Sequence, residues 1–374
     1  MYKNLILPSA LLAGTIIGAG IFALPFVFNQ AGTGLGILHL IIFGLVLTAL
    51  HLIYADIIAR TKEDHRLAGY AHYYLGNWAF GAAIIINIIG LILTLTIYLV
   101  LSVSFINLFA AGLASTYQIL IFWFLGSLAI FLGVNRLAFS ELLITAGIGA
   151  IILIIFIYGF INPVSPVDIV SFNWGNLFLP YGAVLFALMG STAIPSVAGY
   201  FRKNNLPAIK ARMSIILGTL APVLIYALFV FGVLKLSKIV SDDSITGLIG
   251  QIPPALLWLL GILGIISLWS SYIVFGRNVQ KSLQYDMRFP PFSAALATII
   301  LPLLLYFLGL QNFLELVGIA GGIFIALEGI LTILIWLKAR QQESETKLLK
   351  NFPVALAYLL ILIFSGGIIY TIVY

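Results

Sequence analysis

Eleven apolar runs, each long enough to cross a bilayer, constrain this chain more than any other feature. A spanning helix needs about 20 predominantly apolar residues. Runs of that kind, broken at charges, prolines and glycine clusters, lie at 5–28, 34–58, 79–110, 117–134, 140–160, 179–200, 212–234, 254–276, 292–309, 313–337 and 353–373, numbered below as spans 1 to 11. Hydrophobic residues make up 62% of the 374 and charged ones 8%, against about 25% charged in a soluble domain. No soluble fold of this length could bury so much apolar side chain. Spanning strands would alternate over about 10 residues, and that pattern is absent. Only helices and closed barrels satisfy every backbone group in lipid, so the expected fold is an all-α polytopic membrane protein.

The pI near 9.4 invites a nucleic-acid partner, but the placement of charge argues against one. With the N-terminus cytoplasmic, the inner loops hold Lys3; Arg60, Lys62 and Arg66; Arg136; Arg202, Lys203, Lys210 and Arg212; Arg277, Lys281 and Arg288; and Lys338, Arg340, Lys347 and Lys350. Of the 18 Lys and Arg, only Lys235 and Lys238 fall outside. This is the positive-inside pattern. It also supports the span count, since one missed helix would invert every later loop. There is no cysteine, which removes disulfides, thiolate metal sites and cysteine nucleophiles. The first span reads as a retained helix and not a signal peptide. Short loops and no appended soluble domain suit a compact prokaryotic carrier of the inner membrane.

Two spans carry the same interruption. Span 1 contains Gly14-Thr15-Ile16-Ile17-Gly18-Ala19-Gly20-Ile21-Phe22-Ala23-Leu24-Pro25, and span 6 contains Ala187-Leu188-Met189-Gly190-Ser191-Thr192-Ala193-Ile194-Pro195. In each, a glycine precedes a proline by five positions (Gly20 and Pro25, Gly190 and Pro195). Proline lacks an N–H and clashes with the carbonyl four residues back, here those of Ile21 and Ser191. Glycine allows the backbone to unwind and leaves room beside it. By the topology above the two spans run in opposite directions, and matched interruptions in inverted repeats mark the binding site of secondary transporters. A freed helix N-terminus attracts a carboxylate and free carbonyls attract an ammonium or a metal cation, so a zwitterion meets both needs. The spacing of Gly14 and Gly18 also fits a small-xxx-small packing face, and proline kinks serve packing as well. The chain reads as a single membrane domain over 1–374: a first five-span repeat at 1–160, an inverted second at 179–337, and an eleventh helix at 353–373.

At these residues the sequence resembles the amino acid/auxin permease group, and most of all the bacterial aromatic and hydroxy amino acid permeases. The segments Gly14–Pro25 and Phe186–Pro195 carry the likeness, with weaker support from Lys281-Ser282-Leu283-Gln284-Tyr285-Asp286. The resemblance implies the leucine-transporter fold, two inverted five-helix repeats plus one helix. It implies an amino acid:cation symporter for neutral, aromatic or hydroxy amino acids. It places the substrate at Ile16, Gly18, Ala19, Gly20, Ile21, Phe186, Ala187, Gly190, Ser191 and Thr192. The amides of Ala19 and Gly20 would take the carboxylate, and the carbonyls of Ile16, Phe186 and Ala187 the amine. Related sodium-coupled carriers imply a cation site at the carbonyls of Gly14, Ile17 and Ser267 with the hydroxyls of Ser270 and Ser271. Serines in membrane helices also bond back to their own helix. Proton coupling is the alternative, with Glu328 as its carrier. No lysine in span 5 replaces the cation. No cofactor is expected beyond Na+ or H+.

Ionisable groups at membrane depth are costly and functional by default. Glu328 lies deep in span 10 and Glu315 near its outer end; at about 100° per residue the two do not share a face. His39 and His51 on span 2 read as packing residues, and Asp56 and Glu141 as local partners of Arg60 and Arg136. Asn87, Thr94 and Tyr98 on span 3 are cavity candidates. An intramembrane enzyme would need a nucleophile with a base or a metal cluster, and four His with no Cys and no paired acidic motif supply neither. Met189 alone beside the break does not make a metal carrier. A channel would want a filter repeated about an axis. A sensor on a transporter fold, or a carrier of another solute, stays open at this point, as does the oligomeric state.

Overall fold

The computed structural model describes the backbone of residues 5–63, 65–132, 138–164, 171–204, 206–342, 348–349 and 352–373, and the side chains of all of these except 138–144. Arg136 and the Glu141 side chain lie outside the described residues. Seven helices are long and apolar enough to cross a membrane: Thr33–Arg60, Asn77–Ala110, Pro180–Lys203, Ala208–Leu236, Pro254–Tyr285, Phe313–Gln342 and Val354–Val373. A bent pair, Leu7–Ile16 with Ala19–Ala31, forms another span. The shorter apolar helices Ser115–Phe131, Thr145–Ile161 and Pro291–Phe307 fill spans 4, 5 and 9. The eleven spans read from the sequence are thus all present, and no strand occurs among the described residues.

Some ends differ from expectation. Span 8 continues through Tyr285 instead of stopping at 276, because Arg277, Gln280 and Lys281 are good helix formers even though they end the apolar run. A short helix, Leu67–Leu75, was not foreseen between spans 2 and 3. Nine residues are too few to span, and it buries only Ala68, Tyr70, Ala71 and Tyr74.

Span 8 packs along span 3, and span 7 packs along spans 5 and 1. The broken spans are held inside this frame, span 1 against span 7 and span 6 against spans 2 and 10. At the cytoplasmic end, fully buried Asp56 ties span 2 to span 10: its Oδ2 accepts from Arg60 Nε at 2.8 Å and from Trp336 Nε1 at 2.8 Å. A lone carboxylate there would carry an uncompensated charge, so the two donors are what make it tolerable.

The outer end is closed by residues 237–253. Ser244 Oγ donates to Phe22 O at 2.6 Å, while Ile245 and Leu248 are fully buried. Beneath them Phe22 meets Phe105 edge-on at 5.2 Å and Phe229 at 5.6 Å. Asp243 knots the loop by accepting from Ser241 Oγ, Ile245 N and Thr246 N. Burial opposes its charge, but hydrogen bonds from Ser104, Ser241 and Thr246 outweigh that and hold its carboxyl below the usual carboxylate range. Glu315 is exposed near this end, and Asn312 Oδ1 caps its amide at 3.1 Å.

Candidate substrate site

The two interruptions are built alike. Each opens on a residue with φ −72° and an extended ψ, Ile17 at 96° and Met189 at 123°, followed by Gly18 or Gly190. A 3-10 turn follows, Ala19–Ala23 in span 1 and Ser191–Ala193 in span 6. The α-helix then restarts with Pro25 and Pro195 in its first turn, where a missing N–H costs nothing. Span 1 bends by 49° at its break. Gly20 lets the breaks touch: a Cβ there would sit 2.5 Å from Ala187 Cα and 2.9 Å from Ala187 N.

Between the breaks lies a cavity of about 80 Å³, where one water needs roughly 10–15 Å³. Span 1 contributes Thr15, Ile16, Gly18, Ala19 and Gly20, and span 6 contributes Phe186, Met189, Ser191 and Thr192. Asn87, Thr94 and Tyr98 of span 3 line it as well, with Ile86, Gly90 and Leu91. Phe275 comes from span 8, and Ala320, Phe324, Ile325 and Glu328 from span 10. The span 10 residues were mostly not foreseen. Their facing depends on a π-helical stretch, Ala320–Ile325, which shifts the register in a way that a plain 3.6-residue period does not anticipate. Such bulges concentrate at functional sites. Ile21, Ala187 and Gly190 do not line the cavity. Ile21 is packed in the core, Ala187 faces Gly20, and the Gly190 amide is engaged elsewhere.

The backbone groups freed by the breaks have protein partners. Tyr226 of span 7, with no exposed surface, places its hydroxyl 2.7 Å from Ile16 O and 2.9 Å from Ala187 O, so that the two carbonyls share its one proton. Two carbonyls expected to hold a substrate amine are therefore already engaged by a phenol. The Gly190 amide donates to His51 Nε2 at 3.2 Å, so Nδ1 carries the proton and donates to Thr219 Oγ1 at 3.0 Å. His51 is a helix-break cap, and His39 bonds Leu35 O at 3.0 Å within its own helix. Thr219 and Tyr226, seven residues apart on span 7, share a face and serve both breaks.

A second cavity of about 50 Å³ adjoins the first through Thr15, Thr192 and Phe275. It is lined by Gly14, Ile17, Ser267, Ser270 and Ser271, together with Thr145 of span 5. Several hydroxyls of the bundle bond back to their own helix, as Thr48 does to Gly44 O and, on this cavity, Thr15 to Leu11 O. Among the described residues, Ser270 Oγ is buried with no partner. Thr145 was missed in the sequence because span 5 carries no interruption to mark it.

A larger vestibule of about 250 Å³ shares Asn87, Leu91, Ser191, Thr192 and Glu328 with the central cavity. It reaches Arg66 and Asp286 at the cytoplasmic end. The Asp286 carboxyl is pushed up by burial, an effect that Arg66 and Ser282 oppose. The central cavity thus adjoins a vestibule that carries Arg66 and Asp286 on its wall.

A family model for tryptophan/tyrosine permeases matches residues 1–374. The chain belongs to the tryptophan/tyrosine permease family. It is an amino acid transporter and not an enzyme. The chain is also similar to the crystal structure of MhsT in complex with L-phenylalanine, with a TM-score of 0.67 and 15% identity, covering 98% of both chains. At that identity the likeness establishes the fold, which is the leucine-transporter arrangement expected from the broken spans. A search of curated protein sequences returned no match.

Proposed function

We propose that this permease is a sodium-coupled symporter of aromatic amino acids in the inner membrane. It works by alternating access around the cavity between the breaks, with 1–160 and 179–337 as its inverted repeats and 353–373 as an added helix. The substrate α-carboxylate binds the Ala19 and Gly20 amides at the start of the 3-10 turn, where helix-terminal N–H groups favour an anion. The sodium ion takes the carbonyls of Gly14, Ile17 and Ser267 and the hydroxyls of Ser270 and Ser271, with Thr145 beside them. The observation that carries this reading is the buried, unpartnered Ser270 hydroxyl in a cavity walled by oxygen-bearing groups. A hard cation prefers such oxygen ligands.

Uptake of labelled tryptophan and tyrosine into proteoliposomes, under a sodium gradient in one arm and a proton gradient in the other, tests this. Sodium-driven uptake is expected. The double variant Ser270→Ala/Ser271→Ala is then expected to raise the half-saturating sodium concentration at least tenfold, about 1.4 kcal/mol. Unaltered sodium dependence in that variant would remove the ion from this cavity. A second reading rests on Glu328, a carboxylate facing both cavity and vestibule. If the proton arm alone drives uptake, Glu328 carries the coupling proton.

A further inference from the structure

The proposed function gives the substrate α-carboxylate the Ala19 and Gly20 amides, but the α-ammonium has lost partners expected for it. Of the three carbonyls, Ile16 O is engaged by Tyr226 and Ala187 does not line the cavity. Phe186 remains on the wall, and its carbonyl is a neutral dipole. An ammonium presents three N–H donors. A charge taken out of water also needs a charge to pair with. Among the described residues on the cavity wall, Glu328 is the one carboxylate, and no Lys, Arg or His lies beside it there.

Packing places that carboxylate at the span 1 break. Glu328 Oε1 accepts from Ser191 Oγ at 2.6 Å, and among the described residues Ser191 is the one hydrogen-bond partner of this carboxylate. Ser191 follows Gly190, where a Cβ would sit 2.6 Å from Ile16 Cγ1 and 2.9 Å from Leu12 Cδ1. Glu328 is thus linked through Ser191 and Gly190 to the residue at which span 1 unwinds. The cavity proposed for sodium shares Thr15, Thr192 and Phe275 with this one, and no charged side chain lines it among the described residues. A zwitterion and a sodium ion bring one net positive charge into the two cavities. One ionised glutamate cancels it.

We propose that Glu328, held in place by Ser191, is the counter-charge that binds the α-ammonium of the substrate. The inference rests on the carboxylate anchor of the proposed function: both charged groups leave the same carbon, so their partners must be neighbours. An analogue with a hydroxyl in place of the ammonium leaves the buried carboxylate without its cation, which is strongly unfavourable. Charge-assisted hydrogen bonds are also about twice as strong as neutral ones. The second reading of the coupling makes the opposite demand. A Glu328 that carries the coupling proton is neutral in the loaded site, and an amide would serve there equally well.

The test is equilibrium binding of tryptophan and of indole-3-lactate, each labelled, to the purified full-length protein in sodium buffer. Indole-3-lactate keeps the ring and the carboxylate and carries a hydroxyl where tryptophan has its ammonium. The wild-type protein is expected to prefer tryptophan by about a hundredfold or more. Glu328→Gln is expected to weaken tryptophan by about thirtyfold or more, while indole-3-lactate changes by less than about threefold or tightens. Ser191→Ala keeps the charge and loses its orientation, so tryptophan alone is expected to weaken, by about three- to tenfold. Three outcomes would overturn the proposal: a wild-type protein that binds both ligands alike, a Glu328→Gln protein that binds tryptophan as the wild type does, or one in which both ligands weaken alike. The first needs no variant, so the proposal stays exposed even if Glu328→Gln does not fold. Tryptophan binding that survives Gly18→Leu would instead remove the site on which the proposal stands, and so separates the two failures.

Discussion

Gly18→Leu abolishes amino acid binding and uptake, a loss of at least a hundredfold or about 2.7 kcal/mol, in a protein that purifies folded. This result is expected because Gly18 sits at the break with φ −145° and ψ −152°, on the side of φ that L residues use. A Cβ there would meet only Ile16 O and the Tyr98 hydroxyl, both at 3.9 Å. The added side chain has one place to go, which is the cavity that Gly18 lines. Leucine then occupies space that the ligand needs without straining the frame. Gly20→Ala contrasts with it at the same break. One methyl there would press on the Ala187 backbone, two main chains cannot yield as a side-chain tip does, and overpacking of this kind costs typically 1–3 kcal/mol. Gly20→Ala is therefore expected to lower the melting temperature, while Gly18→Leu leaves it near wild type. Thermal melts beside a binding assay separate the two. Binding at wild-type affinity in Gly18→Leu would move the substrate out of this cavity.

How far the fold could be read ahead depends on where its information lies along the chain. The spans are legible because each is a contiguous apolar run, and the charge asymmetry of the loops checks their number. The two breaks are legible because glycine and proline act locally on the backbone. What holds the breaks together is not legible. Tyr226 reaches back to Ile16 across 210 residues, and His51 reaches forward to Gly190 across 139. Nothing in a tyrosine on an apolar span announces that its hydroxyl closes two gaps. The carbonyls of Ile16 and Ala187 were expected to wait for an amine, and the structure shows them engaged by that hydroxyl. Glu328 stands between the two cases. Its depth in span 10 marked it as a functional group, but its place on the cavity wall beside Ser191 emerges only from the packing of spans 6 and 10.

The phenol of Tyr226 is where the frame and the site depend on one atom. Tyr226→Phe is expected to lower the melting temperature by roughly 5 °C or more and to cut uptake at least tenfold. The variant keeps the ring, which packs with no exposed surface, so no cavity of any size forms. What it loses is the hydroxyl that faces Ile16 O at 2.7 Å and Ala187 O at 2.9 Å. Each buried backbone group left without a partner costs about 1–3 kcal/mol. Water entering from the adjoining cavity would recover part of that, which leaves a net cost on the order of 3 kcal/mol. The loss falls on transport as well as stability, because the same bonds fix the distance between the two breaks and hence the geometry of the amides at Ala19 and Gly20. Span 7 holds span 6 independently through Thr219 and His51, so Tyr226→Phe should loosen span 1 first. Hydrogen exchange at Gly18 and its neighbours should rise before exchange at Gly190 does. A Tyr226→Phe protein with wild-type melting and wild-type uptake would mean that the breaks hold their spacing through the contact of Gly20 with Ala187 alone.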